Sequence, residues 1–555
     1  VPGTQTDSRA ESVLRRQGQF EGDRATFESH WSEIAERVLP RQRDFNTKRT
    51  GGEKLTEKVF DSTAPLALER FAAAMESMLT PRTQRWHELK APEALKDDET
   101  VKRYLHEVTS VLFRQRYAPA ANFASQAHEA YMSLGAFGSG AVFVDDHVGR
   151  GLRYRAVSLA ELYFAENFQG IVDTVHRRFE LSARQAAQQF GADNLPATMA
   201  KSLENEPDRK FEFIHCVKPR EDAAWDRLDY KGMAYASYYV SYEGRKLLRE
   251  GGYRTMRYAV SRYVTAPREV YGRSPAMTVL ADIKTVNEMQ KTLLRTGQLI
   301  AEPPILLTDD GSLGPFKLRP GGLNYGALAG DGTPLAQPFA VGANLPITLE
   351  MVERQRKVLN DAFLVTLFQI LVEQPQMTAT EAMLRAQEKG ALLAPTMGRQ
   401  QSEMLGPLIQ AEIDILQQAG IVPPAPDALH EAGGDVQIEY VSPLTRAQRA
   451  DEGVGILRTI EQATALSEFD PDALLAIKAD ETIRELGEIN GMPSKLMRTP
   501  DEIEALKQAR AQQQQMASAL AAAPVVASAA KDMAQAQALA GGAPSQMAPA
   551  ILGAQ

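Results

Sequence analysis

Two long helical patterns separated by about forty residues of proline and glycine punctuation constrain this chain more than anything else in it. Ser274 and Pro275 open the first pattern as an N-cap followed by a proline at the first helical position. Leu280, Ile283, Val286 and Leu293 then form one stripe, and Lys284, Glu288, Lys291 and Arg295 form a second. A helix from Pro275 to Ile300 would be roughly 39 Å long at ~1.5 Å per residue, and Pro303-Pro304 ends it. The stretch to Pro346 is rich in Gly and Pro but carries apolar runs such as Ile305-Leu306-Leu307. Those runs need burial, so a small β-and-loop subdomain is expected rather than a flexible linker. A return helix is expected from Thr348 to Val372, with Val352, Leu359 and Phe363 on one face. The hinge Glu373-Gln374-Pro375-Gln376-Met377 follows, and Thr378 with Glu381 forms a capping box for a third helix. That helix should reach Gly420, interrupted at Gly390, Pro395, Gly398 and Pro407. Such a layout suits a shaft with a knob at its end, repeated in a ring.

The first half has a different period. Helices are expected over Ser12–Leu39, from Asp61-Ser62 to Pro81, over Asp97–Tyr117, and from Phe123 to a stop at Gly135. The polar, basic stretch Gln42–Lys58 reads as an exposed loop. Short β-type runs follow at Ala141–Val144, Leu152–Val157, Phe211–Val217, Ala234–Tyr242 and Arg257–Val264, with a helix Ser182–Phe190 stopped by Gly191. The fold class is therefore α+β and mainly helical, with helices gathered around an antiparallel sheet. Beyond Pro423-Pro424, Val436–Val441 reads as a strand returning to the earlier sheet, and Leu444–Leu486 as helical pieces. From Gln508 onward the composition shifts to Ala, Gln and Met, with helix propensity but little amphipathicity.

No catalytic constellation competes with this architecture. Gly135-Ala136-Phe137-Gly138-Ser139-Gly140 resembles a phosphate loop, but it leaves a helix for a strand, the reverse of a dinucleotide loop. A nucleotide-binding enzyme using Gly135–Gly140 is therefore the lesser alternative to a helix stop and strand entry. The eight histidines lack metal-ligand spacing, and His215 and Cys216 should face opposite sides of a strand. Asp145-Asp146 and Asp309-Asp310 read as turn residues, and no metal site or cofactor is expected. A single cysteine, Cys216, rules out an intrachain disulfide and a Cys-based zinc site. The most apolar run, Phe363–Val372, is too short to span a bilayer, and the net charge of −9 does not favour anionic membrane or free DNA.

Six short segments, in order, are similar to one known family. They are Trp31–Pro40 with Phe60-Asp61-Ser62-Thr63-Ala64; Met78–Pro81 leading to Trp86; Leu134-Gly135 through Phe143-Val144; and Tyr271–Pro275 with Asp282-Ile283-Lys284 and Asn287. The others are Met377–Glu381 with Pro395 and Leu405–Leu408, and Val441-Ser442-Pro443-Leu444. Over roughly residues 10 to 500 the chain resembles the head-to-tail connector, or portal protein, of podovirus-type tailed bacteriophages.

The resemblance implies a non-enzymatic ring, usually of twelve subunits, at one capsid vertex of the virion, assembled in the host cytoplasm. It implies partners: dsDNA in the channel, the terminase large subunit, major capsid and scaffolding proteins, and tail adaptors, with no membrane. It implies a portal fold divided into wing (1–270), first stem helix (271–300), clip (301–346), second stem helix (347–372), tunnel loop and kinked channel helix (373–420), return strand (421–443) and crown (444–507). The tail, 508–555, falls outside the matching pattern and would form a barrel or stay disordered. Another ring-forming neck adaptor is the runner-up, although it would be a shorter chain. Glu373, Gln374, Gln376 and Met377 would face DNA. Arg354, Arg356 and Lys357 are candidates for a basic band or for contacts with a neighbouring stem. Lys284, Lys291 and Arg295 lie on a charged stripe with two readings, a solvated face with i,i+4 pairs or subunit contacts and channel lining.

Overall fold

The computed structural model describes residues 8–45, 52–96, 98–146, 151–307, 328, 330–338, 345–366, 395–432, 436–441, 443–466, 477–489, 498 and 502–515. Two compact units divide the chain, Val1–Arg449 and Ala450–Gln555.

The first unit opens with α1 (Ser8–Ala35) and α2 (Thr63–Leu79). A strand, β1 (His87–Lys90), leads to α3 (Glu99–Arg116) and α4 (Phe123–Phe137). Asp98 caps α3, accepting from the amides of Thr100 (2.8 Å) and Val101 (3.2 Å), so the helix begins just after the Asp97 expected to start it. The fourth helix does not stop at Gly135. It runs to Phe137, and Gly138 closes it in the left-handed region at φ 81°. Gly135 has another task, since a Cβ there would lie 2.6 Å from Leu68 Cδ1 and 2.7 Å from Phe71 Cδ1. Its hydrogen lets α4 press against α2.

Two antiparallel sheets follow. The first has the order β3-β2-β9, built from β2 (Ser139–Asp146), β3 (Leu152–Ala156) and β9 (Tyr258–Arg262). The second is a five-stranded meander of β4 (Leu162–Glu166), β5 (Val172–Ser182), β6 (Lys210–Pro219), β7 (Tyr235–Ser241) and β8 (Lys246–Tyr253). Helices α5 (Ala183–Phe190) and α6 (Ala197–Asn205) join β5 to β6. Ser182 and Gln185 form a capping box on α5. His215 and Cys216 do face opposite ways on β6. Cys216 packs with Ala10 and Val13 of α1, and His215 donates to or accepts from Tyr258 (2.7 Å) and Ser237 (3.0 Å).

The main core lies between α1–α4, the three-stranded sheet and the later helices. An aromatic chain runs through it: Trp31 meets Phe27, Phe45 and Tyr271 at 5.2–5.4 Å, and Tyr271 meets Phe164 at 4.5 Å. Phe45 is buried, so the expected exposed loop after Pro40 begins as core. Each such pair contributes ~0.5–1.5 kcal/mol beyond area burial, and together they fix the base from which the next helix leaves.

That helix is not continuous from Pro275. A single turn, α7 (Pro275–Thr278), ends at Val279, and α8 runs from Leu280 to Ala301. Pro275–Met277, Val279 and Leu280 are all buried, and one helical stripe cannot bury residues on every side. The return helix α9 spans Leu345–Ala362, and the part of the expected helix beyond Thr366 lies outside the described residues. Phe363 and Val365 are both buried, and Leu364 between them has φ 59°. Residues two apart face opposite sides of a helix, so burying both requires the break. A two-stranded sheet of β10 (Ile305–Leu307) and β11 (Ala336–Pro338) lies between α8 and α9 in sequence.

Helical residues from Pro395 lead through a π-turn, Gln401–Leu405, into α10 (Gly406–Gln418). Of the four expected interruptions, Pro407 follows this turn by two residues, Gly398 lies within regular helix, Pro395 is helical and is the first described residue of its segment, and Gly390 falls outside the described residues. Proline has no amide to give. The wider turn places the Gly406 amide on Gln401 O, which also accepts from Tyr440 Oη at 2.9 Å. Gly420, at φ 66°, ends the segment as expected. The strand β12 (Gln437–Tyr440) returns to the first half but pairs with β1, from His87↔Tyr440 to Lys90↔Gln437, and not with either larger sheet.

The second unit contains most of the helix Pro443–Leu466, the helix Ala479–Ile489 and helical residues 502–515. Gly453 allows close approach of Ile489, whose Cγ2 would be 3.1 Å from an added Cβ.

Candidate nucleic-acid interface

Helices α8 and α9 pack as a pair whose far ends leave the core. Leu280, Ile283, Val286 and Asn287 are buried, but no residue of α8 beyond Asn287 is. Leu294, Leu299 and Ile300 are 43–49% exposed, and Ile347, Leu349 and Met351 at the start of α9 are 49–55% exposed. Toward the body α9 buries Val352 and Leu359, and Phe363 just after it is buried too. The pair is thus a shaft set into the body at one end.

Two polar side chains mount it. Asn287 Oδ1 accepts from the amides of Phe60 (2.7 Å) and Asp61 (3.2 Å), and its Nδ2 donates to Lys58 O (2.8 Å). Asp61 Oδ1 accepts from the Thr63 amide at 2.8 Å, so Asp61 rather than Ser62 supplies the side-chain cap of α2. Its other oxygen accepts from Arg356 Nε (3.0 Å) and Nη2 (2.7 Å). Burial pushes the Asp61 carboxyl up, but the bonds from Thr63 and Arg356 outweigh it and hold it below its ordinary value. One carboxylate thereby joins the start of α2 to the middle of α9.

The predicted cations divide into two groups. Lys284 Nζ reaches Glu33 of α1 at 2.5 Å, Lys291 pairs with Glu288 at 3.2 Å and sits 5.4 Å from the Phe60 ring, and Arg356 is engaged by Asp61 and by Glu353 at 2.6 Å. Arg295, Arg354 and Lys357 are exposed and make no ion pair among the described residues. The expected DNA-facing residues Glu373, Gln374, Gln376 and Met377, and the Thr378/Glu381 capping box, lie outside the described residues.

A feature not read from the sequence is the clamping of the π-turn and α10 by three buried arginines. Arg116 of α3 meets Glu412 through two bonds, 3.0 and 2.5 Å, and Tyr154 Oη donates to the same carboxylate at 2.7 Å. Arg257 meets Asp414 at 2.9 Å. Arg262 meets Glu403 at 2.8 Å and also pairs with Glu166. The arginines stand 141–296 residues from Glu403, Asp414 and Glu412 in sequence. Alternating charge on α10 was the available signal, since Glu412 and Asp414 stand among apolar residues.

The glycine-rich alternative does not survive the geometry. Residues 131–140 are all buried, a Cβ at Gly138 would lie 2.3 Å from Gly272 O, and one at Gly140 would lie 2.4 Å from Ala130 O. The segment is filled by its own chain and has no room for a phosphate. Asp145 and Asp146 end β2 as exposed residues, whereas Asp309-Asp310 fall outside the described residues. Among the described residues no three His, Cys, Asp or Glu side chains gather in a metal-holding group, and no helix is long and apolar enough to cross a membrane.

A body that mounts a projecting helix pair and clamps a third helix across its sheets is a structural part. The chain belongs to the bacteriophage head-to-tail connecting protein family, whose model matches residues 10–497. It is 30% identical over 516 residues to a probable portal protein of Bordetella phage BPP-1, covering 91% of this chain and 92% of the relative. It is 27% identical over 549 residues to the portal protein of Salmonella phage epsilon15, covering 96% of each. A chain from the neck of an empty GTA particle aligns with 12% identity and a TM-score of 0.38, over 74% of this chain and 91% of that one. The role that follows from the family is structural, not enzymatic.

Proposed function

We propose that this chain is the subunit of a portal ring at one capsid vertex, through which viral dsDNA enters during packaging and leaves at ejection. The observation that carries the reading is the mounted shaft: two antiparallel helices anchored by Asn287 and Asp61, with apolar and charged residues exposed along their outer halves. A lone shaft would leave Leu294, Leu299, Ile347 and Met351 in water. A ring covers such faces with the neighbouring shaft. The near full-length match to portal proteins also favours this reading over a shorter neck adaptor.

In this assignment 1–270 with β12 forms the wing, α8 and α9 the stem, 301–346 the clip, 373–420 the tunnel loop and channel helix, and 444–507 the crown. The ring has twelve subunits, docks the terminase large subunit at the clip and later the tail adaptors, and meets capsid and scaffolding proteins at the wing. Assembly takes place in the host cytoplasm. A conduit must not grip its cargo, because each Lys or Arg phosphate contact adds salt-dependent affinity and hence drag. Gln374, Gln376 and Met377, uncharged and adaptable, suit the point nearest DNA, with Glu373 beside them. Lys284, Lys291 and Arg356 serve the mounting, and Arg295, Arg354 and Lys357 are the cations left to meet a neighbour or the lumen.

Native mass spectrometry and negative-stain rotational averaging of the purified protein test the reading. A closed ring of about twelve copies is expected. A monomer at every concentration, and no ring in particles, would sink it.

A further inference from the structure

The five-stranded meander carries two connections that the shaft does not use. Its strands are all antiparallel, with Glu166 facing Val172, Val175 facing Val217 and Pro219 facing Tyr235. The β4–β5 turn and the β6–β7 loop therefore lie at the same end of the sheet. Two strand spacings, roughly 10 Å, separate them. Each one holds large apolar side chains in water. Phe168 is 95% exposed and Ile171 59%, while Trp225 is 74% and Leu228 96% exposed.

Both connections are built, not slack. In the first, Asn167 Oδ1 accepts from the amides of Gln169 (2.9 Å) and Ile171 (3.0 Å), and Gly170 turns the chain at φ 80°. Gly170 O accepts from the buried Arg262 at 3.1 Å. In the second, the Ala224 amide bonds Lys231 O at 3.0 Å, Arg227 pairs with Asp229 at 2.5 Å, and a Cβ on Gly232 would lie 1.8 Å from Arg227 O. Single exposed apolar residues are ordinary. Two ordered turns presenting Phe, Ile, Trp and Leu side by side are not, and rigid aromatic anchors are the residues that dominate protein interfaces.

The surrounding charge selects the partner. Over 220–234 the loop has Arg220, Arg227 and Lys231 against Glu221, Asp222, Asp226 and Asp229. Both arginines are engaged, Arg220 by Glu250 at 3.2 Å and Arg227 by Asp229. Asp226 is exposed and makes no ion pair among the described residues. We infer that this end of the meander is a docking surface for a second, different protein that offers an apolar pocket rimmed by Lys and Arg. Tip-to-tip contact between two copies would bring the same acids together, and an anionic lipid surface would repel them. The inference rests on the portal reading, in which the ring repeats the patch around its circumference and the surrounding shell presents the pocket.

The test produces the chain with the phage's other structural proteins in host cells and measures the ratio of this chain to shell protein in purified particles by quantitative mass spectrometry. Native mass spectrometry of the soluble protein runs in parallel. The Phe168→Ser/Trp225→Ser variant should lower incorporation at least tenfold while rings keep wild-type stoichiometry. Asp226→Lys should lower it severalfold and Asp226→Glu should not. Should the double variant melt early, Leu228→Ser carries the test, since it alters only a side chain in solvent. Undiminished incorporation of the serine variants overturns the inference, and so does loss of the ring itself, which would make a second copy the occupant. Wild-type chain absent from particles overturns the portal reading and this inference with it.

Discussion

Arg116 and Glu412 form a fully buried ion pair between α3 and α10, residues 296 positions apart joined by two hydrogen bonds of 3.0 and 2.5 Å. Trp86 and Phe113 lie 4.5 and 5.0 Å from the guanidinium carbon. Burial works against the Arg116 charge, yet the Glu412 carboxylate more than restores it. Removing one partner strands the other in an apolar site. Glu412→Gln should therefore cost about 3–5 kcal/mol, whereas Arg116→Met/Glu412→Leu should cost far less. Urea unfolding of the three proteins checks this. Equal losses for the single and double variants would mean that packing, not charge pairing, holds α10.

Gly135 should tolerate no side chain. A methyl group there meets Leu68 and Phe71 at 2.6–2.9 Å, inside the α2–α4 contact. Overpacking of this kind costs typically ~1–3 kcal/mol, and Gly135→Val should exceed Gly135→Ala. Gly18 and Gly22, with nothing within 4 Å of an added Cβ, should gain up to about 1 kcal/mol as alanines in α1. Melting temperatures of these variants give the comparison, and a neutral Gly135→Val would refute the close approach of α2 and α4.

Acid should weaken the first unit from just below neutral pH. Burial, reinforced by nearby arginines and lysine, lowers His176 to about 3 and lowers His87 and His215 well below the ordinary 6.5. All three are neutral in the fold and take up protons on unfolding. Their stabilisation is complete above pH 6.5 and falls as pH drops from there toward the folded values, by up to ~1.4 kcal/mol per pH unit for each group. Unfolding free energy measured from pH 7.5 to 4.5 should fall with that sign. His176→Gln should flatten the slope. An unchanged slope in that variant would show that His176 is already charged in the fold.

Why some elements are visible in the sequence and others are not follows from the range of the forces. Ser274, Asp98 and the Ser182/Gln185 box start helices through bonds within three residues, so their sites can be read locally. β5 was missed because both of its faces are covered. Arg177 and His176 are buried through partners on other elements, and the strand shows no apolar alternation. β8, with two glycines and three charges, is a strand only because β7 pairs with it. The shaft pattern was legible, but its mounting was not. Nothing near Asn287 in sequence points to Lys58 or Phe60, and nothing near Arg356 points to Asp61. The hinge residues proposed to meet DNA rest on sequence and family alone.

Charge placed at the hinge should act on DNA movement and leave the ring intact. In a twelve-copy ring, Gln374→Lys/Gln376→Lys would add twenty-four cations around one narrow level. Each phosphate they neutralise releases counterions, so the added affinity should fall steeply with salt. Packaging in vitro should slow severalfold at low salt and recover at higher salt, with ring stoichiometry unchanged by native mass spectrometry. Gln374→Asn/Gln376→Asn, which changes length but not charge, should package as wild type. Matching rates for the lysine and asparagine variants at every salt concentration would move these residues out of the channel and leave Arg354 and Lys357 as the nearest candidates for DNA contact.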